Sequence, residues 1–137
     1  MKTEDKLAIH ELLSRAAYYF DVRNEDGLGE CFADDCPMRV NIGDDVKLGP
    51  FEGRDAIMDL MRGSWDAQND VRRHIICNFF FESAGETEAT VVSTVVVSAV
   101  DGDEIGLVTT GVYTDRVTKS GGDWQIAERQ LDLDKAF

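Results

Sequence analysis

Two histidines, His10 and His74, are the only side chains among 137 residues whose ordinary titration falls near neutrality. Proton transfer at physiological pH therefore has few possible centres. His74 lies in the run Arg72-Arg73-His74-Ile75-Ile76-Cys77-Asn78-Phe79-Phe80. Period-two alternation there predicts His74, Ile76, Asn78 and Phe80 on one face and Arg73, Ile75, Cys77 and Phe79 on the other. Both faces are mostly apolar, so the imidazole needs a polar partner to offset its desolvation. It reads either as a satisfied core histidine or as an acid/base group in an apolar pocket. His10, beside Ile9 on the outer part of a helical pattern, reads as a solvated surface residue.

Asp21 is the candidate partner. It follows Ala17 by one turn, about 40° away around the helix, which places it near the edge of a buried stripe. A carboxylate at a helix C-terminus faces the unfavourable end of the macrodipole. Asp21 is thus either a surface acid beside a loop or an acid kept there for another purpose. Of Tyr18 and Tyr19 just before it, one is expected on the inward face with Ala16 and Phe20. Trp65, Tyr113 and Trp124 read first as packing, and any that line a cavity shape an apolar or aromatic ligand site. Asp34-Asp35 and Asp44-Asp45 lack the spacing of a calcium loop and read as solvated turn acids. Cys31, Cys36 and Cys77 are odd in number and lack zinc-like spacing, so neither a disulfide framework nor a metal site is expected.

The elements that must position these groups are legible in outline. Thr3 can cap a helix over roughly 4–22, in which Ile9, Leu12, Leu13, Ala16, Ala17 and Phe20 recur at helical spacing. Leu28, Cys31 and Phe32 suggest a second, short helix, and Gly53-Arg54-Asp55 opens a third with Ile57, Leu60 and Met61 inward. From about residue 70 the pattern turns to β, with strands over 72–82, 87–100, 105–118 and 124–133 and a further one over 38–42. The turns at Ser83-Ala84-Gly85, Asp101-Gly102-Asp103 and Ser120-Gly121-Gly122-Asp123 make these antiparallel hairpins. Helices followed by hairpins predict an α+β fold, three N-terminal helices packed on one face of a curved antiparallel sheet. Val91, Val92, Val95, Val96 and Val97 are apolar on both faces of their strand, which predicts that the outer face meets another subunit in a homodimer or homotrimer.

The length suits one domain over residues 1–137. Lys and Arg total 14 against 27 Asp and Glu, a formal charge of -13, which repels nucleic acid and anionic membrane alike. Hydrophobic residues at 43% and charged residues at 30% are compatible with a true core. The N-terminus runs into a helical pattern with no signal-peptide core and no membrane-length apolar run, so a reducing cytoplasm is the expected location.

Several segments together carry a resemblance: Ile9-His10-Glu11-Leu12-Leu13 leading to Tyr19-Phe20-Asp21, Cys31-Phe32-Ala33-Asp34-Asp35, and Glu52-Gly53-Arg54-Asp55-Ala56-Ile57. Arg73-His74-Ile75-Ile76-Cys77-Asn78, Gly111-Val112-Tyr113-Thr114-Asp115 and Asp123-Trp124-Gln125-Ile126 followed by Arg129 complete it. In this order they resemble the SnoaL-like branch of the nuclear-transport-factor-2-like superfamily, which includes scytalone dehydratase, bile-acid 7α-dehydratase and hexachlorocyclohexane dehydrochlorinase. The resemblance implies a cone of curved sheet closed by helices around a pocket. It also implies an acid/base dyad, matched here by Asp21 and His74, in which the carboxylate orients the ring and the other nitrogen takes a substrate proton. Such a dyad needs no cofactor. The implied function is a dehydratase-like elimination on a small aromatic, alicyclic or polyketide-like molecule. Isomerisation or cyclisation by the same dyad, and a non-catalytic role like that of the small subunits of aromatic-ring dioxygenases, are the alternatives. Tyr18, Tyr19, Trp65, Asn78, Tyr113 and Arg129 are the candidate substrate-binding residues. Ala16 stands where the dehydrochlorinase pattern has a lysine, no second histidine occurs over 91–97, and no strand acid is placed as in the steroid-isomerase relatives.

Overall fold

Ile9, Leu13 and Ala16, spaced by helical turns, form the buried stripe of the first helix. The computed structural model describes residues 1–137. In chain order the elements are α1 (Thr3–Asp21), α2 (Glu25–Glu30), β1 (Pro37–Ile42), β2 (Val46–Glu52), α3 (Arg54–Ala67), β3 (Val71–Ala84), β4 (Glu88–Asp101), β5 (Glu104–Ser120) and β6 (Asp123–Leu133). Lys2, not Thr3, is the N-cap of α1, and no side chain caps it. Asp5 fastens this end instead, accepting hydrogen bonds from Trp124 Nε1 and Lys119 Nζ, both at 3.0 Å. Those two donors hold the Asp5 carboxyl below the usual carboxylate range.

The other end of α1 stops sharply. Arg23 N–H donates to Phe20 O and Asn24 N–H to Tyr19 O, the paired bonds of a Schellman cap. Arg23 adopts φ +58° there, a left-handed conformation usually given to glycine, and its Nη2 donates to Gln68 O at 2.9 Å. Asn24 then starts α2, its Oδ1 accepting from Gly27 N–H at 2.9 Å. The cap ends the helix immediately after Asp21, so the acid is held at a rigid terminus.

The six strands form one sheet in the order β2-β1-β6-β5-β4-β3. Four of the five pairings are antiparallel, while β1 runs parallel to β6. Strand β1 is flanked by its hairpin partner β2 on one side and by β6, the last strand of the chain, on the other. Strand β2 carries no strand signature of its own. Gly49 and Pro50 interrupt it, and its edge position tolerates a residue that cannot donate to a ladder. The helices cover the concave face, and the core cluster, including Phe32, Ile57, Val91, Val95 and Ile126, fills the space between. No helix is long and apolar enough to cross a membrane.

Two strands depart from simple alternation. In β3 the register shifts between Cys77 and Phe80, where Asn78 takes φ +54°. This bulge reverses the faces beyond it. Phe79 and Phe81 therefore pack towards the core with Ile76, whereas Asn78 and Phe80 are exposed, correcting the expected faces. In β4 the inner face of Ala89, Val91, Ser93, Val95 and Val97 is buried, and the outer face mixes half-buried Val92 and Val96 with Thr90, Thr94 and Ser98. The outer face is less apolar than five valines in seven residues suggest.

Candidate active site

Strand β3 ends the sheet, so the N–H groups on its open side have no neighbouring strand to receive them. One of these belongs to His74, and it donates to Asp21 Oδ2 at 2.9 Å. The other carboxylate oxygen, Oδ1, lies 2.6 Å from His74 Nδ1. Both oxygens of one acid thus engage one residue 53 positions later. The ring is further held by the edge of Phe20, 4.8 Å between centroids at 69°, and Phe20 is tilted against Trp65 at 5.6 Å. Trp65 Nε1 donates to Phe20 O at 3.0 Å, satisfying a carbonyl of the last helical turn. With Nδ1–H committed to Asp21, the neutral ring leaves Nε2 as an acceptor with no partner in the chain.

His74 forms part of the wall of a cavity between the helices and the concave sheet. Eighteen of the 22 lining residues are hydrophobic, and the others are Ser64, His74, Thr109 and Arg129. A wall this apolar lowers the local polarity, so that electrostatic interactions at its few polar groups are stronger than in water. The room open to the centre of a water molecule is about 90 Å³. One water needs roughly 10–15 Å³ by that measure, so the cavity suits a small organic molecule. Leu48 from β2 and Phe137 from the C-terminal segment also line it.

A second polar group stands on the same wall. Arg129 donates from Nε and Nη2 to the two oxygens of Asp115 at 2.8 and 3.0 Å. Asp115 is fully buried and Arg129 is 7% exposed. Burial opposes the guanidinium charge, yet Asp115 more than offsets this and makes Arg129 more basic than usual. The guanidinium lies 4.1 Å from the centroid of the Tyr113 ring. Burial pushes the Tyr113 hydroxyl above its ordinary pKa, and the nearby Arg129 charge only partly counters this. Burial likewise raises the thiols of Cys31 to about 11 and Cys36 to about 12, so both stay protonated and inert near neutrality.

Of the residues singled out from sequence, His74, Tyr113 and Arg129 line the cavity, and Asp21 reaches it through His74. Tyr18 is 62% exposed. Tyr19 is half-buried and accepts a hydrogen bond from Arg15 at 3.0 Å, outside the lining. Trp65 is buried behind Phe20, and Asn78 sits exposed in the β3 bulge, so neither lines the cavity. His10 is not a free surface residue, since its ring lies 4.3 Å from that of Phe79. Asp115, which gives both oxygens to Arg129, is a buried strand acid that the sequence does not single out as a site residue. Its signal is the alternation Gly111, Tyr113, Asp115 and Val117 on the inward face of β5, an acid among core positions that demands a buried cation. No group of three or more His, Cys, Asp and Glu side chains converges in a way that could hold a metal ion.

Residues 1–130 match the SnoaL-like domain model. The chain belongs to the SnoaL-like family. Solved structures agree with this, with the nuclear-transport-factor-2-like, cystatin-like fold among them. A candidate scytalone dehydratase from Novosphingobium aromaticivorans is 26% identical, with 94% of the SnoaL-like chain and 83% of the other covered at a TM-score of 0.74. A protein of unknown function from Mycobacterium tuberculosis is 25% identical, with 96% and 73% covered at 0.80. A candidate beta subunit of an aromatic-ring-hydroxylating dioxygenase, also from N. aromaticivorans, is 20% identical, with 95% and 89% covered at 0.81, a likeness of fold alone. No curated protein matches the sequence.

Proposed function

We propose that this SnoaL-like protein is a cofactor-independent lyase of dehydratase type, acting on a small aromatic, alicyclic or polyketide-like molecule. The observation that carries the reading is the two-oxygen grip of Asp21 on His74 at the wall of an apolar cavity. That grip selects the tautomer with Nε2 free and stabilises the imidazolium formed when Nε2 takes a proton from substrate carbon. The same imidazolium then returns the proton to the departing hydroxyl or other leaving group. A positioned base of this kind contributes roughly 10²- to 10⁴-fold. The likeness to a candidate scytalone dehydratase supports elimination as the reaction.

The deciding experiment is a turnover assay of wild type, His74→Ala and Asp21→Asn on candidate substrates with product mass recorded. Loss of water or another leaving group in wild type, with both variants impaired, is the expected result. Full activity in both variants sinks the dyad. An unchanged product mass converts the assignment to isomerase or cyclase, which begins with the same proton abstraction. Homo-oligomerisation through the outer face of the sheet, where Ile75, Val96 and Val112 are half-buried or exposed, belongs to the same proposal.

A further inference from the structure

Two fully buried side-chain atoms of the chain find no hydrogen-bond partner, Ser93 Oγ and Arg72 Nη1. An unmet hydroxyl in a core costs less than an unmet donor on a buried cation. The Arg72 side chain is 13% exposed, and its guanidinium is only half engaged. Nε donates to Asp70 Oδ1 at 2.8 Å, but the second contact, Nη2 to Oδ2, is slack at 3.5 Å. In the Arg129–Asp115 pair the two bonds measure 2.8 and 3.0 Å. Other arginines of this chain hold two carboxylates each, since Arg62 takes Glu25 and Asp59, and Arg116 takes Glu88 and Glu128. Arg72 holds one acid and has a donor left for a second.

Its place in the fold points to where a second acid comes from. In β3, Arg72 and His74 alternate with exposed Val71, Arg73 and Ile75, so both stand on the concave face. At about 3.3 Å per residue, the two side chains leave the strand roughly 7 Å apart. Beyond Leu133 the chain crosses β5, where Asp134 N–H donates to Thr110 O and Thr109 Oγ1 donates to Lys135 O. This crossing brings the Phe137 ring to 5.9 Å from the Arg72 guanidinium. The same ring lines the cavity and is 47% exposed. One movable side chain therefore stands between the cavity and a buried cation.

We propose that Arg72 is an anion subsite, and that the substrate is a small acid whose carboxylate displaces the Phe137 ring and accepts from Nη1. This rests on the dyad reading for the chemistry and adds the class of substrate. The carboxylate lies beside position 72 and the reacting carbon beside position 74, so the acid group is an anchor remote from the bond that breaks. Held there, it aligns the rest of the molecule along the apolar wall with the reacting carbon at Nε2. Asp70 fixes the guanidinium at Nε before ligand arrives, which lowers the ordering cost of binding.

Hydrocinnamate and its neutral amide, titrated calorimetrically into the full chain near neutral pH, test the subsite without turnover. The two probes share a shape and differ in charge. In wild type the acid is expected to bind roughly tenfold tighter than the amide, as a hydrogen bond between charged groups allows. Arg72→Gln should erase that advantage and leave amide binding intact. Asp70→Asn removes the competing carboxylate and should tighten acid binding several-fold, a gain that a misfolded variant cannot mimic. Should Arg72→Gln lose both probes, Asp70→Asn alone decides.

Equal affinity for acid and amide in wild type overturns the proposal, and so does no binding of either at millimolar concentration. An acid advantage that persists in Arg72→Gln assigns the anion to Arg129 or to the His74 imidazolium and overturns it too. So does an Asp70→Asn variant that binds the acid no tighter than wild type. If His74→Ala and Asp21→Asn keep full turnover while the acid advantage still depends on Arg72, the dyad fails and the anion subsite stands.

Discussion

Asp21 gives both of its carboxylate oxygens to His74, one to Nδ1 at 2.6 Å and one to the backbone N–H at 2.9 Å. The first contact sets the tautomer, and the second sets where the strand lies against the helix. An asparagine at position 21 has one oxygen and one NH2 for two donors. Asp21→Asn is therefore expected to cost about 1–3 kcal/mol of stability as well as activity, and thermal denaturation beside turnover measures the two losses together. His74→Ala keeps the backbone contact, so it should lose activity at a smaller stability cost per fold of rate.

The Asp115–Arg129 pair is predicted to matter more when halved than when removed. Either Asp115→Leu or Arg129→Met alone leaves a buried charge without its partner and should destabilise by about 3–5 kcal/mol. The double variant Asp115→Leu with Arg129→Met should recover much of that loss. Urea midpoints for the four proteins complete the cycle, and additive losses would refute the coupling.

Alkaline conditions should weaken the fold from about pH 9 upward. The ordinary thiol value is 9.0, and the folded values of Cys31 and Cys36 are about 11 and about 12. Because folded pKa values are raised, between these limits the unfolded chain releases protons that the folded chain retains. Stability therefore falls as pH rises through that window and is level in this respect below it. Urea titrations from pH 7 to pH 11 measure the slope, and replacing both cysteines by alanine should flatten it.

Arg23→Gly should raise stability by about 0.5–1 kcal/mol, since glycine adopts the left-handed cap without the penalty a side chain carries. The lost contact to Gln68 O is exposed and offsets little. A lower melting temperature in the variant would show that the Gln68 contact outweighs the backbone strain.

Light scattering is expected to find a dimer or trimer. Val96→Glu on the outer face should shift it to monomer without touching the cavity, because Val96 pairs with Ile75 and Thr110 across that face. A wild-type monomer at working concentration removes the interface.

The helices and long strands are legible because apolar spacing over many residues states which face is buried. Asp21 and His74 stand out as a chemically odd acid and a scarce imidazole, but their contact is a long-range fact of how α1 crosses the edge of β3. Asn78 defeats alternation because a bulge is a local backbone event with no apolar signature. Pro50 disguises β2 because its residues are punctuated like a loop and exposed like one. Tyr18 and Tyr19 differ only by 100° on a helix, and which of them turned inward depended on the docking angle of α1.

The Asp21 grip also closes part of the open edge of β3. An uncovered strand edge invites pairing with another chain, and here the acid that orients the base also occupies an edge donor. Chemistry and protection from misassembly share one contact. Turnover of a variant at position 21 is therefore expressed per soluble, folded protein, since aggregation and lost catalysis arrive together. A control aimed at the cavity side of the imidazole leaves that edge closed.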